Sequence, residues 1–282
     1  MKPLTFFEEI IPLEKQIQIM DIGAAAINEN PIYQYLMSSG FAHLHAFEGD
    51  ERQAEGIRNK YGENVTLHSN FLFDGSVRTF YQASAASGMS SLLKPDPVAL
   101  AFFNRFTSFG EIKSETQVKT VRLDDLDSLP VIDFIKLDIQ GAELVTLKNG
   151  KNILKNVLAV QLEVSYVPLY QNQPTFGEVD VWMRAQGFMP HCFLAIKKWS
   201  IFPTIFAGNF RVGGNQLLES DIVYVRNPLQ LSNLPEERLI VFAWLSHFLF
   251  KSTDLCIHIL REMMQRGKLD WDLQSTYYES LG

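Results

Sequence analysis

Three acids stand at the ends of apolar strand signals: Asp21 in "IQIMDI", Glu48 in "HLHAFE" and Asp138 in "FIKLD". A strand buried on both faces should read as apolar throughout, and open α/β sheets bind ligands beyond the carboxyl ends of their strands. Carboxylates gathered on that rim can accept hydrogen bonds from hydroxyls, balance positive charge or take up a proton. Glu48 follows Asp21 by 27 positions (48 − 21) and closes the second strand, the place from which an acid can hold a ribose diol. The first turn, "DIGAAA", brings Gly23 and small alanines to where backbone must approach a ligand closely. It lacks the G-x-G-x-x-G fingerprint of a dinucleotide site, so a nucleoside-bearing cofactor without a pyrophosphate fits both observations. Each acid also has a plainer reading as a turn or cap residue, and Asp138 is placed to cap a helix beginning near Gly141.

The elements that must position these acids alternate. Strand signals cover Ile17–Ile22, His43–Glu48, Val65–Phe73, Phe134–Asp138 and Leu158–Val164, with two more near "FMPHCFL" and "DIVYV". Between them lie helix signals: "NPIYQYLMSSG", with Asn30 as N-cap, Pro31 at its first position and Gly40 as stop; a polar helix through Lys60; "AELVTLKNGKNIL"; and "FGEVDVWMRAQG". Strand alternating with helix predicts a mostly parallel sheet with helices on both faces. Residues Ser84–Val118 and Ile196–Ser220 are too long for simple connections and are expected to enclose a substrate. Their aromatics, Trp199, Phe202, Phe206 and Phe210 among them, serve equally well to pack the loops onto the core.

After Asn227-Pro228 the alternation stops, which divides the chain into an α/β domain over 1–228 and a helical extension over 229–282. "LPEERLIVFAWLSHFLF" and "DLCIHILREMMQRG" read as two helices with more apolar surface than one face needs. That surface must be covered, by the chain's own sheet or by the same segment of a second chain, and the excess of Phe, Leu and Met favours a homodimer. The stretch Leu239–Phe250 is shorter than the roughly 20 residues of a membrane span.

With 282 residues, 46% of them hydrophobic, the chain can bury a full core. Its formal charge of −7 argues against a nucleic-acid partner. Cys192 and Cys256 have no metal-type spacing, and Glu8 and Glu9 interrupt the apolar start, so a cytoplasmic protein is expected. His43 and His45 share one strand face with no further ligand and read as structural.

The ordered series "DIGAAA", "AFEGD", "FDGSVRTFY", "GMSSLL", "VRLDDLDSLPVIDFIKLDIQGAELVTLKNG", "VQLEVSYVPLYQNQPTFGEVDVWMRAQGF" and "DIVYVRN" resembles an FkbM-type S-adenosylmethionine-dependent methyltransferase over roughly residues 18–227. Thr120, Leu123 and Asp124, followed by "KLDIQGAE", carry its most recognisable part. The chain departs from the family's usual pattern at Gln140, where many members have Glu, at Gly49, where most have Pro, and at Ile27, where many have Gly. The resemblance implies a Rossmann-like class I methyltransferase fold with a seven-stranded sheet, its last strand antiparallel. It also implies roles: Asp21, Gly23 and Ala24 along the methionine part of S-adenosylmethionine, Glu48 at the ribose hydroxyls, Asp74 and Gly75 beside the adenine, and Asp138 near the amino group and sulfonium.

Methyl transfer from a sulfonium is an in-line displacement, so alignment and exclusion of water do most of the work. A hydroxyl acceptor still has to lose its proton, and Asp138, Glu163 and His191 are the candidate bases. Asp138 and Glu163 could instead share a divalent cation, a less favoured arrangement. The expected activity is O-methylation of a small molecule or sugar unit. Its rival is a noncatalytic module that keeps the fold and works through its loops or C-terminal helices.

Overall fold

The computed structural model describes residues 2–24, 30–84, 87–267 and 272–282, with 51–54 as backbone alone. Among the described residues ten strands appear in chain order: β1 (Ile17–Ile22), β2 (Ala42–Phe47), β3 (Val65–His68), β4 (Phe71–Phe73), β5 (Val77–Gln82), β6 (Ser114–Arg122), β7 (Phe134–Leu137), β8 (Ala159–Ser165), β9 (Phe188–Lys198) and β10 (Leu217–Arg226). The helices are α1 (Pro3–Ile10), α2 (Gln34–Ser38), α3 (Glu51–Tyr61), α4 (Pro97–Phe102), α5 (Phe106–Phe109), α6 (Glu143–Lys148), α7 (Lys151–Leu154), α8 (Phe176–Ala185), α9 (Glu236–Phe248), α10 (Thr253–Gln265) and α11 (Leu273–Ser280).

Seven strands form one sheet in the order β3-β2-β1-β7-β8-β10-β9. β3, β2, β1, β7 and β8 run parallel, while β10 lies antiparallel between β8 and β9. This is the expected sheet, with the last strand in the chain reversed. The apolar runs predicted as strands fall within a residue or two of β1, β2, β7 and β8, because strands covered on both faces leave an uninterrupted signature.

The run Val65–Phe73 divides instead into β3 and β4, and β4 leaves the main sheet to pair with β6 in a small sheet of order β4-β6-β5. The helix expected over "AELVTLKNGKNIL" is two short ones, α6 and α7, separated at Gly150, where an added Cβ would lie 2.3 Å from the Leu123 side chain. The helix expected from Asn30 is only the five residues of α2, and α1 and α11 were not anticipated.

One face of the sheet packs on α6 and α8 through Leu144, Leu147, Val179 and Met183. The other is covered by α1 and the C-terminal helices, whose Phe6, Phe7, Phe242, Trp244, Ile259 and Tyr277 share one core with Ile19, Leu44 and Phe134 of the strands. Trp244 Nε1 donates to the Ile11 carbonyl at 2.8 Å, and Arg238 pairs with Asp133 and the Asn156 carbonyl. Among the described residues after 228, most of the apolar surface of the helices is thus buried within the chain. Among the described residues no helix is long and apolar enough to cross a membrane.

Candidate active site

The carboxyl ends of β1, β2, β7 and β8 open on a cavity of about 790 Å³ lined by Asp21, Gly23, Ala24, Glu48, Asp138 and Glu163. Gly23 has φ +80°, and a Cβ there would stand 2.0 Å from the Asp138 carbonyl oxygen, so only glycine lets the first turn run this close to the end of β7. Glu48 accepts from the Asp50 amide at 2.8 Å. Gly49 has a physical reason too: a Cβ would lie 2.6 Å from the ring of Phe71, which itself lines the cavity. Ile27 lies outside the described residues.

A polar row crosses three adjacent strands, with Asp21 of β1 opposite Lys136 of β7 and Lys136 opposite Gln161 of β8. Asp21 is 3% exposed, and such a carboxylate needs partners. Lys136 Nζ donates to its Oδ1 at 3.2 Å and Tyr33 donates its hydroxyl proton to Oδ2 at 2.5 Å. Burial works against the Lys136 ammonium, but Asp21 and then Asp138 more than offset it and hold its pKa above the ordinary value. Gln161 Oε1 is buried at the cavity wall without a partner among the described residues.

Asp138 and Glu163 are joined by Gln140, whose Nε2 donates to Asp138 Oδ1 at 2.9 Å and to Glu163 Oε1 at 3.3 Å. Gln140 has φ +55°, and its side chain is held from behind by the Tyr170 hydroxyl, which donates to Oε1 at 3.0 Å. Lys197 reaches Glu219 at 2.7 Å and Glu163 at 3.4 Å. Burial, then the nearby Glu219 and Asp138 charges, pushes the Glu163 carboxyl well above the usual range. Asp221, opposite Glu163 in the β8–β10 register, is raised mainly by burial.

α6 begins at Glu143 with no side-chain cap, and Glu143 instead holds the turn that leads into it. Its Oε1 accepts from the amides of Ile139 at 3.0 Å and Gly141 at 3.1 Å, while burial pushes its carboxyl up to about 7.

Both long segments reach the cavity, through Met89, Phe106 and Phe109 from the first and Trp199 from the second. Trp199 meets Phe106 edge-on at 5.1 Å and donates its indole N–H to the Asn104 carbonyl at 2.9 Å. Phe202 and Phe206 point instead to the surface.

Three expected site residues do not line the cavity. Asp74 pairs with Arg78 in the turn between β4 and β5 and accepts from the Ser76 amide and hydroxyl, and Arg78 above all holds its carboxyl well below the usual range. Gly75 donates its amide to Thr120 Oγ1 at 3.1 Å. His191 packs against Phe250 on the face covered by the C-terminal helices, and burial lowers its pKa. Asp124 is a helix cap, accepting from the amides of Asn152 and Ile153 at the start of α7. Among the described residues, no group of three or more His, Cys, Asp or Glu is disposed to hold a metal.

Sequence reasoning missed Tyr33, Phe71, Gln161, Tyr170 and the two lysines. A signal existed for Lys136, a cation inside the apolar run "FIKLD", and for Gln161 inside "AVQLEV".

The profile of a family described as a methyltransferase FkbM domain matches residues 21–190. No curated protein matches the chain in sequence. Among solved structures, a precorrin-6y C5,15-methyltransferase from Geobacter metallireducens GS-15 is 11% identical, with 80% of this chain and 86% of that one covered and a TM-score of 0.37. The magnesium protoporphyrin IX methyltransferase of Synechocystis PCC 6803, solved with bound SAM, is 9% identical over 76% of this chain and 71% of its own, with a TM-score of 0.38. The 23S rRNA methyltransferase ErmE is 11% identical over 92% and 82%, with a TM-score of 0.36.

Proposed function

The chain belongs to the FkbM methyltransferase family, and from that premise we propose that it transfers the methyl group of S-adenosylmethionine to a hydroxyl oxygen of a small molecule or sugar unit. The observation that carries the reading is the linked pair Asp138 and Glu163 on the cavity wall, with Asp138 directly beside the glycine turn of β1.

The residues present fit the cofactor. Gly23 keeps the first turn free of side-chain bulk, Glu48 stands where a diol would be held, and Phe71 offers an aromatic face beside Gly49 for a base. This moves the expected adenine contact from Asp74 and Gly75 to Phe71. Asp21 and Asp138 supply negative charge toward a cationic ligand, and the unpartnered Gln161 Oε1 can accept from one of its N–H groups.

S-adenosylmethionine supplies, when bound, an electrophilic methyl group on a good leaving group. What this chain must do is align the acceptor, keep water out and take up one proton. Trp199 and Phe106 form an apolar wall for the first two tasks. Glu163 suits the third: its raised pKa makes it a stronger base than an ordinary carboxylate, and Lys197 and Gln140 hold it in place. Proton uptake requires the ionised form, so the rate should rise with pH as Glu163 deprotonates.

The test is transfer of labelled methyl from S-adenosylmethionine to a panel of hydroxyl-bearing acceptors, with calorimetric titration of the cofactor in parallel. Alkali-stable ether products and a cofactor affinity weakened by about 1–3 kcal/mol in Glu48→Ala are expected. Failure of the chain to bind the cofactor would favour the noncatalytic reading, and unchanged affinity in Glu48→Ala would remove Glu48 from the ribose site.

A further inference from the structure

Every residue from Ile201 to Asn209 is exposed, although the stretch includes Ile201, Phe202, Ile205 and Phe206 at 41%, 64%, 51% and 42% exposure. α4 adds Val98 and Phe102 beside them, because the Phe202 amide donates to the Phe102 carbonyl at 2.9 Å and Phe103 bridges Ile201. The backbone that carries these side chains is tied down. The buried amide of Asn104 reaches the Ser200 hydroxyl at 2.8 Å and the Thr204 carbonyl at 2.7 Å. Single exposed apolar residues need no explanation, but a contiguous group on an anchored loop marks a contact surface.

The charge around the patch identifies its partner. Residues 193–218 contain no Asp or Glu, in a chain whose formal charge is −7, and besides Lys197, which faces Glu219 and Glu163, they carry Lys198 and Arg211. Arg105 joins them from the neighbouring segment, with its guanidinium 5.6 Å from the Phe210 ring centre and that of Arg211 at 5.7 Å from the same ring. Apolar side chains ringed by cations suit the interface of an anionic bilayer, where hydrocarbon is buried at headgroup depth and Lys and Arg meet lipid phosphates. A symmetric contact with a second copy would bring like charges together, since a two-fold interface uses the same patch on both sides.

We propose that the 201–209 loop docks this protein on an anionic lipid surface, with Phe202 and Ile205 entering the headgroup region and Arg105, Lys198 and Arg211 meeting its phosphates. Trp199 borders both the catalytic cavity and a groove of about 320 Å³ formed with Ile201 and Phe206, so docking brings that cavity beside the bilayer. The docking is a binding property and stands independently of the methyl-transfer reading.

The test is co-sedimentation of the full chain with phosphatidylcholine–phosphatidylglycerol vesicles, with pure phosphatidylcholine vesicles as reference. Sedimentation with the anionic vesicles, reversed by salt, is expected. A Phe202→Ser, Ile205→Ser variant should weaken it by about tenfold or more, and Lys198→Glu with Arg211→Glu by a similar factor. All four side chains are exposed, and circular dichroism checks that folding is kept; the charge variant and the salt titration of the unmodified chain decide the matter if the serine variant misfolds. Absence of sedimentation with anionic vesicles, or equal sedimentation with neutral ones, overturns the proposal. So does a concentration-dependent dimer, seen by light scattering, that the serine substitutions abolish.

Discussion

The carboxyl rim of the sheet and the face beneath the C-terminal helices bury their residues by opposite means. On the rim, Asp21, Lys136, Glu143 and Glu163 are withdrawn from water and held by specific hydrogen-bond partners, with two of the acids pushed upward by burial. Under the helices, Phe6, Phe7, Phe242 and Trp244 are fully enclosed, and rings meet at centroid distances such as 5.2 Å for Phe7 and Trp244. Buried charge is weak as a source of net stability, whereas apolar area is the main one. The helices therefore supply stability to a sheet whose working edge consumes some of it. The described helices after residue 228 thus share one core with the sheet.

Removing the largest ring from the apolar face should show the largest effect. Trp244→Ala leaves a cavity among Phe7, Phe41 and Phe248 and frees the Ile11 carbonyl, and it is expected to destabilise the chain by about 3–5 kcal/mol in urea unfolding. A small effect would mean that the helices are only loosely joined to the sheet.

The rim should respond through stranded charge. Lys136→Met leaves Asp21 with Tyr33 but without its cation, at a cost of about 3 kcal/mol. The paired variant Asp21→Asn, Lys136→Met should recover much of that loss, because no charge is left uncompensated. A double-mutant cycle by chemical denaturation reads both values, and strict additivity would show that the pair is not coupled.

A pH dependence sharpens the contrast further. Glu143 titrates at about 7 in the folded chain against 4.5 ordinarily, so between those values the folded state holds a proton that the unfolded state has released. Stability should therefore fall as pH rises through that window, by at most about 3 kcal/mol. Glu143→Gln keeps an acceptor oxygen for the Ile139 and Gly141 amides and should flatten this limb of the stability curve. Persistence of the limb in the variant would assign it to another group.

The two regions were also unequally legible in the sequence. Strands buried on both faces, such as β1 and β7, announce themselves as apolar runs, and the acids that end them stand out against that background. The turn glycine was legible for the same reason: its neighbours are small and its position follows a strand. What the sequence did not display is closure in three dimensions. Tyr33 meets Asp21 across 12 positions and Lys197 meets Glu163 across 34, from elements whose approach depends on the whole sheet order. His191 sits on the strand predicted for it, but its ring belongs to the helix-covered face, packed against Phe250. The long strand expected through Phe73 failed because β4 continues the apolar pattern into a different sheet, a distinction that hydropathy does not carry.

Asp74 offers the smallest effect and the cleanest control. It lies three residues beyond the cavity-lining Phe71, yet its carboxylate is spent on Ser76 and Arg78 in an exposed turn. An ion pair open to solvent contributes little, because water screens it and holding two side chains in one geometry costs entropy. The pairing depresses the Asp74 pKa, so whatever it adds is present at neutral pH and is lost only as the medium becomes strongly acidic. Asp74→Asn keeps the hydrogen bonds to Ser76 available and should cost less than about 1 kcal/mol in thermal unfolding at pH 7. S-adenosylmethionine affinity should be unchanged, in contrast to Glu48→Ala. Lost cofactor affinity with intact stability would return Asp74 to the adenine site and mean that the turn reorganises when the cavity is filled.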